Sequence, residues 1–210
     1  MRIAILESDT PDLVAAARRW RGASNADRFD QAFQAARPGT ICTVFQPYAG
    51  DAVDFAGADG IVFTGSAVEW SVDDAQGAPI TRAMEAAFAN GRPIWGSCNG
   101  LQLAAHLLGG VSGPSASGFE AGLARDVELT AEGAAHPMMT GRRQRFSVPC
   151  IHRDEVQTPP DGAVVLAGNA HSPVQAMAYE VQGITFWGAQ YHPEYTAASM
   201  GAALSRLPSR

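Results

Sequence analysis

The stretch Gly96-Ser97-Cys98-Asn99-Gly100 places a cysteine between two glycines and decides the fold of this chain. The apolar run Pro93-Ile94-Trp95 precedes it, and apolar residues at helical spacing follow from Leu101 to Leu108. This G-x-C-x-G spacing is typical of a nucleophile elbow, in which a strand turns sharply into a helix and exposes the side chain at the turn. The positive end of the helix dipole there favours the nucleophilic thiolate. A buried structural cysteine beside two glycines is the alternative interpretation of the motif alone.

The composition is that of an ordinary globular protein with an acidic charge balance. The 210 residues are 46% hydrophobic and 17% charged, and the formal net charge is −6. A chain of this length can bury one core of good size. The negative charge argues against nucleic acid as a partner, because binding to phosphates requires a basic surface. The sequence contains no lysine, which excludes a mechanism with a lysine nucleophile.

The cysteines and the apolar runs narrow the class of protein further. Cys42, Cys98 and Cys150 are widely spaced and form no C-x-x-C pair, so neither a disulfide framework nor a zinc site is indicated. We expect no metal and no cofactor. The segment from Met1 to Glu7 is typical of a first strand, because its apolar part is too short for a signal peptide. No apolar run reaches the length of a membrane span, so we expect a cytoplasmic protein without a membrane partner.

The first half of the chain alternates strands and helices. The pattern predicts strands over residues 3–6, 40–45, 60–63 and 94–95, and helices over 13–20, 28–36 and 80–90. The helix after the elbow ends at Leu108-Gly109-Gly110. Short, fully apolar strands separated by helices predict an α/β protein with an open, mostly parallel sheet and helices on both faces.

The second half is rich in strands and is expected to form a smaller, partly antiparallel region. Strands are predicted over residues 124–129, 144–148, 164–167, 175–179 and 184–189, and the last two are joined by a hairpin at 180–183. A final helix is predicted over 196–204. The Gly/Ser-rich segment from Ser112 to Gly122 is typical of a mobile surface loop. We expect a single domain over residues 1–210.

A cysteine nucleophile needs a base, a group that orients the base, and donors for an oxyanion. His192 follows a predicted strand, and Glu194 stands two residues later, so the two side chains can form an imidazole–carboxylate pair. The alternative is that His192 caps the strand and Glu194 opens the last helix. The backbone amides of Gly65 and Asn99 are candidate oxyanion donors. All these residues fall at the carboxyl ends of predicted strands, where ligands bind in open α/β sheets.

These residues resemble the class I (triad) glutamine amidotransferases, and in particular stand-alone proteins similar to the glutaminase domain of GMP synthetase. The resemblance runs from Met1 to about Glu194. The matching motifs are Ile3-Ala4-Ile5-Leu6, Gly60-Ile61-Val62-Phe63-Thr64-Gly65-Ser66, Gly96-x-Cys98-x-Gly100-x-Gln102, Leu108-Gly109-Gly110, His152-x-Asp154-x-Val156, Val165-Leu166-Ala167 and Gly188-Ala189-Gln190-Tyr191-His192-Pro193-Glu194.

The resemblance implies a flavodoxin-like sheet and a glutaminase reaction. Cys98 would attack the side-chain carboxamide of glutamine, His192 would shuttle the proton, and Glu194 would orient the imidazole. A γ-glutamyl thioester would form, and ammonia and then glutamate would leave. A separate ammonia-accepting synthetase subunit is the partner that this chemistry implies. The candidate substrate-binding residues are Ser66, Gln102, His152 and Arg153.

Some residues depart from the family pattern. The loop matching Ile151-His152-Arg153-Asp154 usually reads Ser-His-Gly-Asp, and its backbone helps to hold the amino-acid end of glutamine. Arg153 could pair with an additional substrate carboxylate, for which its planar fork is suited. One alternative is therefore a γ-glutamyl peptidase or hydrolase that acts on γ-glutamyl amines or peptides. A second alternative, from another class, is a binding or regulatory protein without catalysis on the same scaffold.

Overall fold

The computed structural model describes residues 1–205, which form eleven β-strands and six α-helices. In chain order the elements are β1 (Arg2–Leu6), α1 (Pro11–Arg21), α2 (Asn25–Ala36), β2 (Ile41–Phe45), β3 (Gly60–Phe63), α3 (Ala78–Asn90), β4 (Ile94–Ser97), α4 (Asn99–Leu107), β5 (Val111–Pro114), β6 (Glu120–Leu129), α5 (Ala131–Ala135), β7 (Arg145–His152), β8 (Asp154–Thr158), β9 (Ala163–Gly168), β10 (Ala176–Tyr179), β11 (Phe186–Ala189) and α6 (Ala197–Leu204). None of the helices in this part of the chain is long and apolar enough to cross a membrane.

One nine-stranded sheet organises the fold, in the order β2-β1-β3-β4-β11-β10-β9-β6-β7. The strands from β2 to β11 pair in parallel. Those from β11 to β7 pair antiparallel, so β11 lies at the boundary between the two halves. The predicted α/β class with a parallel sheet is confirmed. The antiparallel strands of the second half continue the same sheet.

The apolar alternation of the parallel strands places helices on both faces. In β1, Ile5 packs with Phe29 of α2 on one face. The next residue, Leu6, packs with Met84 of α3 on the other face. Successive side chains of a strand point to opposite faces, so an unbroken apolar strand buries itself between two helical layers.

The expected mobile loop from Ser112 to Gly122 was wrong over part of its length. Val111–Pro114 forms β5, which pairs antiparallel with β8 in a separate two-stranded sheet. Ser112 is buried, and its hydroxyl donates a hydrogen bond of 2.9 Å to the backbone oxygen of Gln102. Composition alone suggested a loop here, but a long-range partner strand satisfies the backbone.

Candidate active site

Cys98 lies at the turn between β4 and α4 with φ 49° and ψ −102°, a backbone conformation that few non-glycine residues adopt. The turn is held from both sides. The Cys98 amide donates a 2.8 Å hydrogen bond to the oxygen of Ala189 in β11. A Cβ on Gly96 would lie 2.7 Å from the backbone of Gly100, and one on Gly100 would lie 2.7 Å from the backbone of Phe63. Both elbow positions therefore require glycine because the helix and the strands approach so closely.

His192 and Glu194 follow β11 and form a buried pair beside the elbow. Their Nδ1 and Oε1 atoms are 2.7 Å apart. The Ser97 hydroxyl lies 3.3 Å and 3.4 Å from the two carboxylate oxygens of Glu194. The carboxylate therefore fixes the ring orientation and leaves Nε2 to face the cysteine side. Within the described chain, this buried Nε2 has no hydrogen-bond partner of good geometry.

The surroundings of His192 favour its protonated form. Burial by itself lowers the pKa of His192, but the Glu194 carboxylate and the Cys98 sulfur outweigh this effect and hold the pKa well above its usual value. An imidazolium next to a thiol stabilises the thiolate. The arrangement can therefore supply both a nucleophile and a proton donor.

Gly65 contacts both side chains. A Cβ built on Gly65 would lie 2.7 Å from His192 Cε1 and 3.5 Å from Cys98 Cβ. The Gly65 backbone oxygen accepts a 3.0 Å hydrogen bond from the side-chain Nδ2 of Asn25. Asn99 is the first residue of α4, where a backbone N–H has no partner within the helix. The structure thus brings both predicted oxyanion donors to the edge of the sheet that carries Cys98.

Two glutamines form a chain of hydrogen bonds that leads to the sulfur of Cys98. Gln102 Nε2 donates to the backbone oxygen of Asp154 at 2.6 Å and to Oε1 of Gln190 at 3.1 Å. Gln190 Nε2 in turn donates to Cys98 Sγ at 3.4 Å. The donor and acceptor roles in this series of hydrogen bonds are fixed by its first member, because the backbone carbonyl of Asp154 can only accept a hydrogen bond. Sequence reasoning missed Gln190, although it stands two residues before His192 in the quoted motif.

The guanidinium of Arg153 forms hydrogen bonds to other residues of the protein. Its Nε donates to Asp154 Oδ1 at 2.6 Å and its Nη2 donates to Asp154 Oδ2 at 3.1 Å. Its Nη1 donates to the backbone oxygen of Glu69. The planar fork expected to meet a substrate carboxylate is thus paired with Asp154. A substrate could use the remaining N–H of Nη1 or compete with that carboxylate.

Both ring nitrogens of His152 also form hydrogen bonds within the protein. Its Nδ1 lies 3.0 Å from the backbone oxygen of Asp154, and its Nε2 lies 2.9 Å from Glu120 Oε2. Asn169 and Gln175 donate to the same Glu120 carboxylate. Burial raises the pKa of Glu120, but these hydrogen bonds outweigh it and lower the pKa below its usual value. The pair anchors the junction between β7 and β8.

Ser66 holds the loop after β3. Its hydroxyl lies 2.8 Å from the backbone oxygen of Ser8 and 2.9 Å from Asp9 Oδ1. Asp9 also accepts hydrogen bonds from the Ala67 amide and from Asn25. The Ser66 hydroxyl is therefore engaged within the protein, while the residue itself lines the cavity described next.

A cavity of about 320 Å³ opens above the elbow. It brings together most of the predicted site residues at the carboxyl ends of the parallel strands. Its lining includes Ser66, Cys98, Asn99, Gln102, His152, Arg153 and His192. Within residues 1–205, no group of three or more histidine, cysteine or acidic side chains is arranged to hold a metal ion.

The fold and the site define an α/β protein with a cysteine at a nucleophile elbow and a buried histidine–glutamate pair beside it. A model of the family described as glutamine amidotransferase class-I matches residues 40–207. The chain belongs to this family.

Relatives and solved structures agree with this assignment. The chain is 41% identical over 141 residues to a γ-glutamyl-L-1-hydroxyisopropylamide hydrolase from a Pseudomonas species. The matched region covers 65% of this chain and 47% of that protein. The chain is 38% identical over 117 residues to a glutamine-hydrolysing GMP synthase from Thermomicrobium roseum, over 56% of this chain and 20% of that protein. The chain thus spans less than half the length of these relatives. The crystal structure of a glutamine amidotransferase from Thermotoga maritima has the same fold, with a TM-score of 0.76 at 16% identity over 98% of this chain and 81% of that one.

Proposed function

We propose that this chain hydrolyses γ-glutamyl amide bonds with Cys98 as the nucleophile, and that glutamine is converted to glutamate and ammonia. The observation that carries the proposal is the strained elbow of Cys98 beside the buried His192–Glu194 pair. A thiol, an imidazole and an orienting carboxylate are the parts that covalent amide hydrolysis needs.

The residues have distinct roles in the proposed reaction. The sulfur of Cys98 attacks the γ-carbonyl carbon, and the amides of Gly65 and Asn99 donate hydrogen bonds to the oxyanion. His192 gives its proton to the leaving nitrogen, the C–N bond breaks, and a γ-glutamyl thioester remains. A water molecule then loses a proton to His192 and attacks the thioester. Glutamate leaves and the Cys98 thiol is restored.

A larger leaving group is the second candidate, and two observations favour it. The relative from Pseudomonas is named for the hydrolysis of a γ-glutamyl hydroxyisopropylamide, the amide of an amino alcohol. The lining of the cavity also includes Arg21 and Tyr195, in addition to Cys98 and His192. In this reaction the same residues act, and an amine leaves in place of ammonia.

Product analysis with active-site variants tests the proposal. The wild-type protein should release ammonia from glutamine or an amine from γ-glutamyl amides, and a glutamine-mimicking electrophile should label Cys98. Cys98→Ser and His192→Ala should abolish turnover and leave the circular dichroism spectrum unchanged. Turnover in either folded variant would refute the assigned roles. A folded wild-type protein that neither labels nor turns over would instead favour a binding or regulatory protein.

Several features of the wider context stay predictions. We propose that residues 1–210 act as one domain. A cytoplasmic location and a separate ammonia-accepting synthetase subunit are expected from the sequence. Retention of the chain by a synthetase during co-purification would support such a partner.

A further inference from the structure

Two chemically different groups of side chains line the cavity, and each is called one end of it below. At one end lie Gln102, Arg153 and Asp154, which are joined to one another by hydrogen bonds. At the other end lie Arg21 and Tyr195, near the end of α1 and the start of α6. A γ-glutamyl amide with a large amine would have to extend across both ends, with its scissile bond at the sulfur.

The position of His192 decides which end receives the amine. In the proposed reaction, this imidazole must reach the leaving nitrogen to protonate it. The ring of His192 is in edge contact with the ring of Tyr195, with centroids 5.1 Å apart. The Tyr195 hydroxyl lies 3.4 Å from Asn25 Oδ1 and 3.5 Å from Arg21 Nη1. In the proposed reaction the amine would therefore extend toward Tyr195, and the glutamyl group would lie toward Gln102.

Arg21 differs from Arg153 in its partners. Arg153 is paired with Asp154, whereas the ion pairs formed within residues 1–205 do not include Arg21. Arg21 interacts electrostatically with the carboxylate of Asp9, which is fully buried. This carboxylate already accepts hydrogen bonds from Asn25, Ser66 and the Ala67 amide. The guanidinium of Arg21 is thus half-buried at the cavity wall without a carboxylate in contact.

A second guanidinium strengthens the positive potential at this end. Arg28 is 6% exposed and stacks over the Tyr195 ring, with its Cζ atom 4.7 Å from the centroid. Its Nη2 donates to the backbone oxygen of Arg21 at 3.2 Å, and its buried Nε has no partner in the described chain. No carboxylate of residues 1–205 forms an ion pair with Arg28.

The acidic groups nearby do not cancel this field. Glu69 and Asp154 also line the cavity, and both carboxylates interact electrostatically with Arg153. Asp154 is in addition hydrogen-bonded to Arg153 and the Ser71 hydroxyl. Glu194 is bound to His192. A neutral amine would leave Arg21 without a carboxylate partner, whereas a substrate carboxylate could accept two parallel hydrogen bonds from its fork.

We propose that Arg21 and Tyr195 form a subsite for the carboxylate of the leaving amine, so that the preferred substrates are γ-glutamyl amino acids. The proposal rests on the function proposed above. Hydrolysis of such a substrate breaks the C–N bond, adds one water molecule, and yields glutamate and a free amino acid. Arg21 is a specificity-determining residue in this scheme and takes no part in the covalent steps.

Two matched substrates measure the contribution of the leaving-group carboxylate to kcat/KM. γ-Glutamyl-L-alanine and γ-glutamyl-L-alaninol differ only in a carboxylate against a hydroxymethyl group. For the wild-type protein, kcat/KM should be about tenfold or more higher for the alanine amide, since a charge-assisted hydrogen bond contributes this much. Equal values for the two substrates would overturn the proposal, while hydrolysis of either one would leave the proposed function standing.

Variants of Arg21 assign the preference to its side chain. Arg21→Met should remove the preference by lowering kcat/KM for γ-glutamyl-L-alanine, mainly through KM, and should change the value for γ-glutamyl-L-alaninol by less than about twofold. Arg21→Lys should restore part of the preference because it keeps the charge. Arg19→Met is the control, because Arg19 is exposed on the same helix and lies outside the cavity lining. An equal loss for both substrates in Arg21→Met would show a merely structural role and overturn the proposal. Hydrolysis of no γ-glutamyl compound at all, glutamine included, would overturn the proposed function itself.

Discussion

Replacing Gly65 with alanine adds one methyl group where the segment after β3 contacts the imidazole of His192. The new Cβ would lie 2.7 Å from His192 Cε1. Carbon atoms in contact are about 3.5 Å apart or more, so the two groups must separate by about 0.8 Å. The φ of Gly65 lies outside the left-handed region, so the methyl group acts through steric overlap alone.

The overlap falls on a ring that has little room to move. His192 is 4% exposed, and its Nδ1 is bound to Glu194 at 2.7 Å. A displacement of about 1 Å at a reacting group costs about 100-fold in rate, which corresponds to about 2.7 kcal/mol in the activation free energy. Overpacking should lower the free energy of unfolding by about 1–3 kcal/mol. We therefore expect a folded protein with kcat/KM reduced about 100-fold.

Steady-state hydrolysis of a γ-glutamyl amide at 25 °C measures the first quantity, and thermal unfolding followed by circular dichroism measures the second. Gly60→Ala, at the start of the strand that leads to Gly65, is the matched control, because its Cβ would meet nothing closer than 3.5 Å. The control should keep wild-type kcat/KM within about threefold. If Gly65→Ala turns over substrate as fast as Gly60→Ala, the inferred contact between Gly65 and the working imidazole is wrong.

Three further predictions concern the buried polar groups. Glu194→Gln removes the carboxylate that raises the pKa of His192. The alkaline limb of the pH profile of kcat/KM should therefore move to lower pH. An alkaline limb at the wild-type position would contradict the inferred effect of Glu194 on His192. Gln190→Leu removes the donor to the sulfur of Cys98, and we expect kcat/KM to fall about 10-fold or more, with the rate of alkylation of the thiol as an independent readout. Glu120 has a pKa below its usual value, so its stabilisation is complete above the unfolded-state pKa of about 4.3 and is lost as the pH falls through the lower folded-state pKa. Urea unfolding between pH 2 and 7 should therefore show a smaller loss of stability with acid in Glu120→Gln, and an unchanged pH dependence would contradict the assignment.

The sequence predicted those parts of the molecule that depend on neighbouring residues. The elbow at Cys98 is specified by its own two glycines and by the strand and helix patterns on either side. The hydrophobic period likewise predicted most strands, since burial on both faces leaves an unbroken apolar run. His192 and Glu194 could be paired in advance because they are only two residues apart.

The sequence could not predict the side-chain contacts and strand pairs that depend on the tertiary fold. Arg153 was expected to meet a substrate carboxylate, but nothing in the pattern indicated that the adjacent Asp154 would fold back onto its guanidinium. Arg21 lies at the end of an amphipathic helix, where a basic residue is favoured in any case. Its place in the cavity depends on Tyr195, which is 174 residues away. β5 was missed because its partner strand supplies the hydrogen bonds that its Gly/Ser-rich composition does not suggest.

The position of β11 in the sheet has a consequence for protein synthesis. This strand inserts between β4 and β10, so one edge of β4 stays unpaired until β11 has been made. Ser97 and Glu194 are 97 residues apart, which corresponds to roughly 5–20 s at the usual rate of translation of about 5–20 residues per second. We expect ribosome-bound chains arrested before residue 186 to resist labelling of Cys98 by a glutamine-mimicking electrophile. The nascent chain thus carries its thiol for many seconds before it can act on any amide.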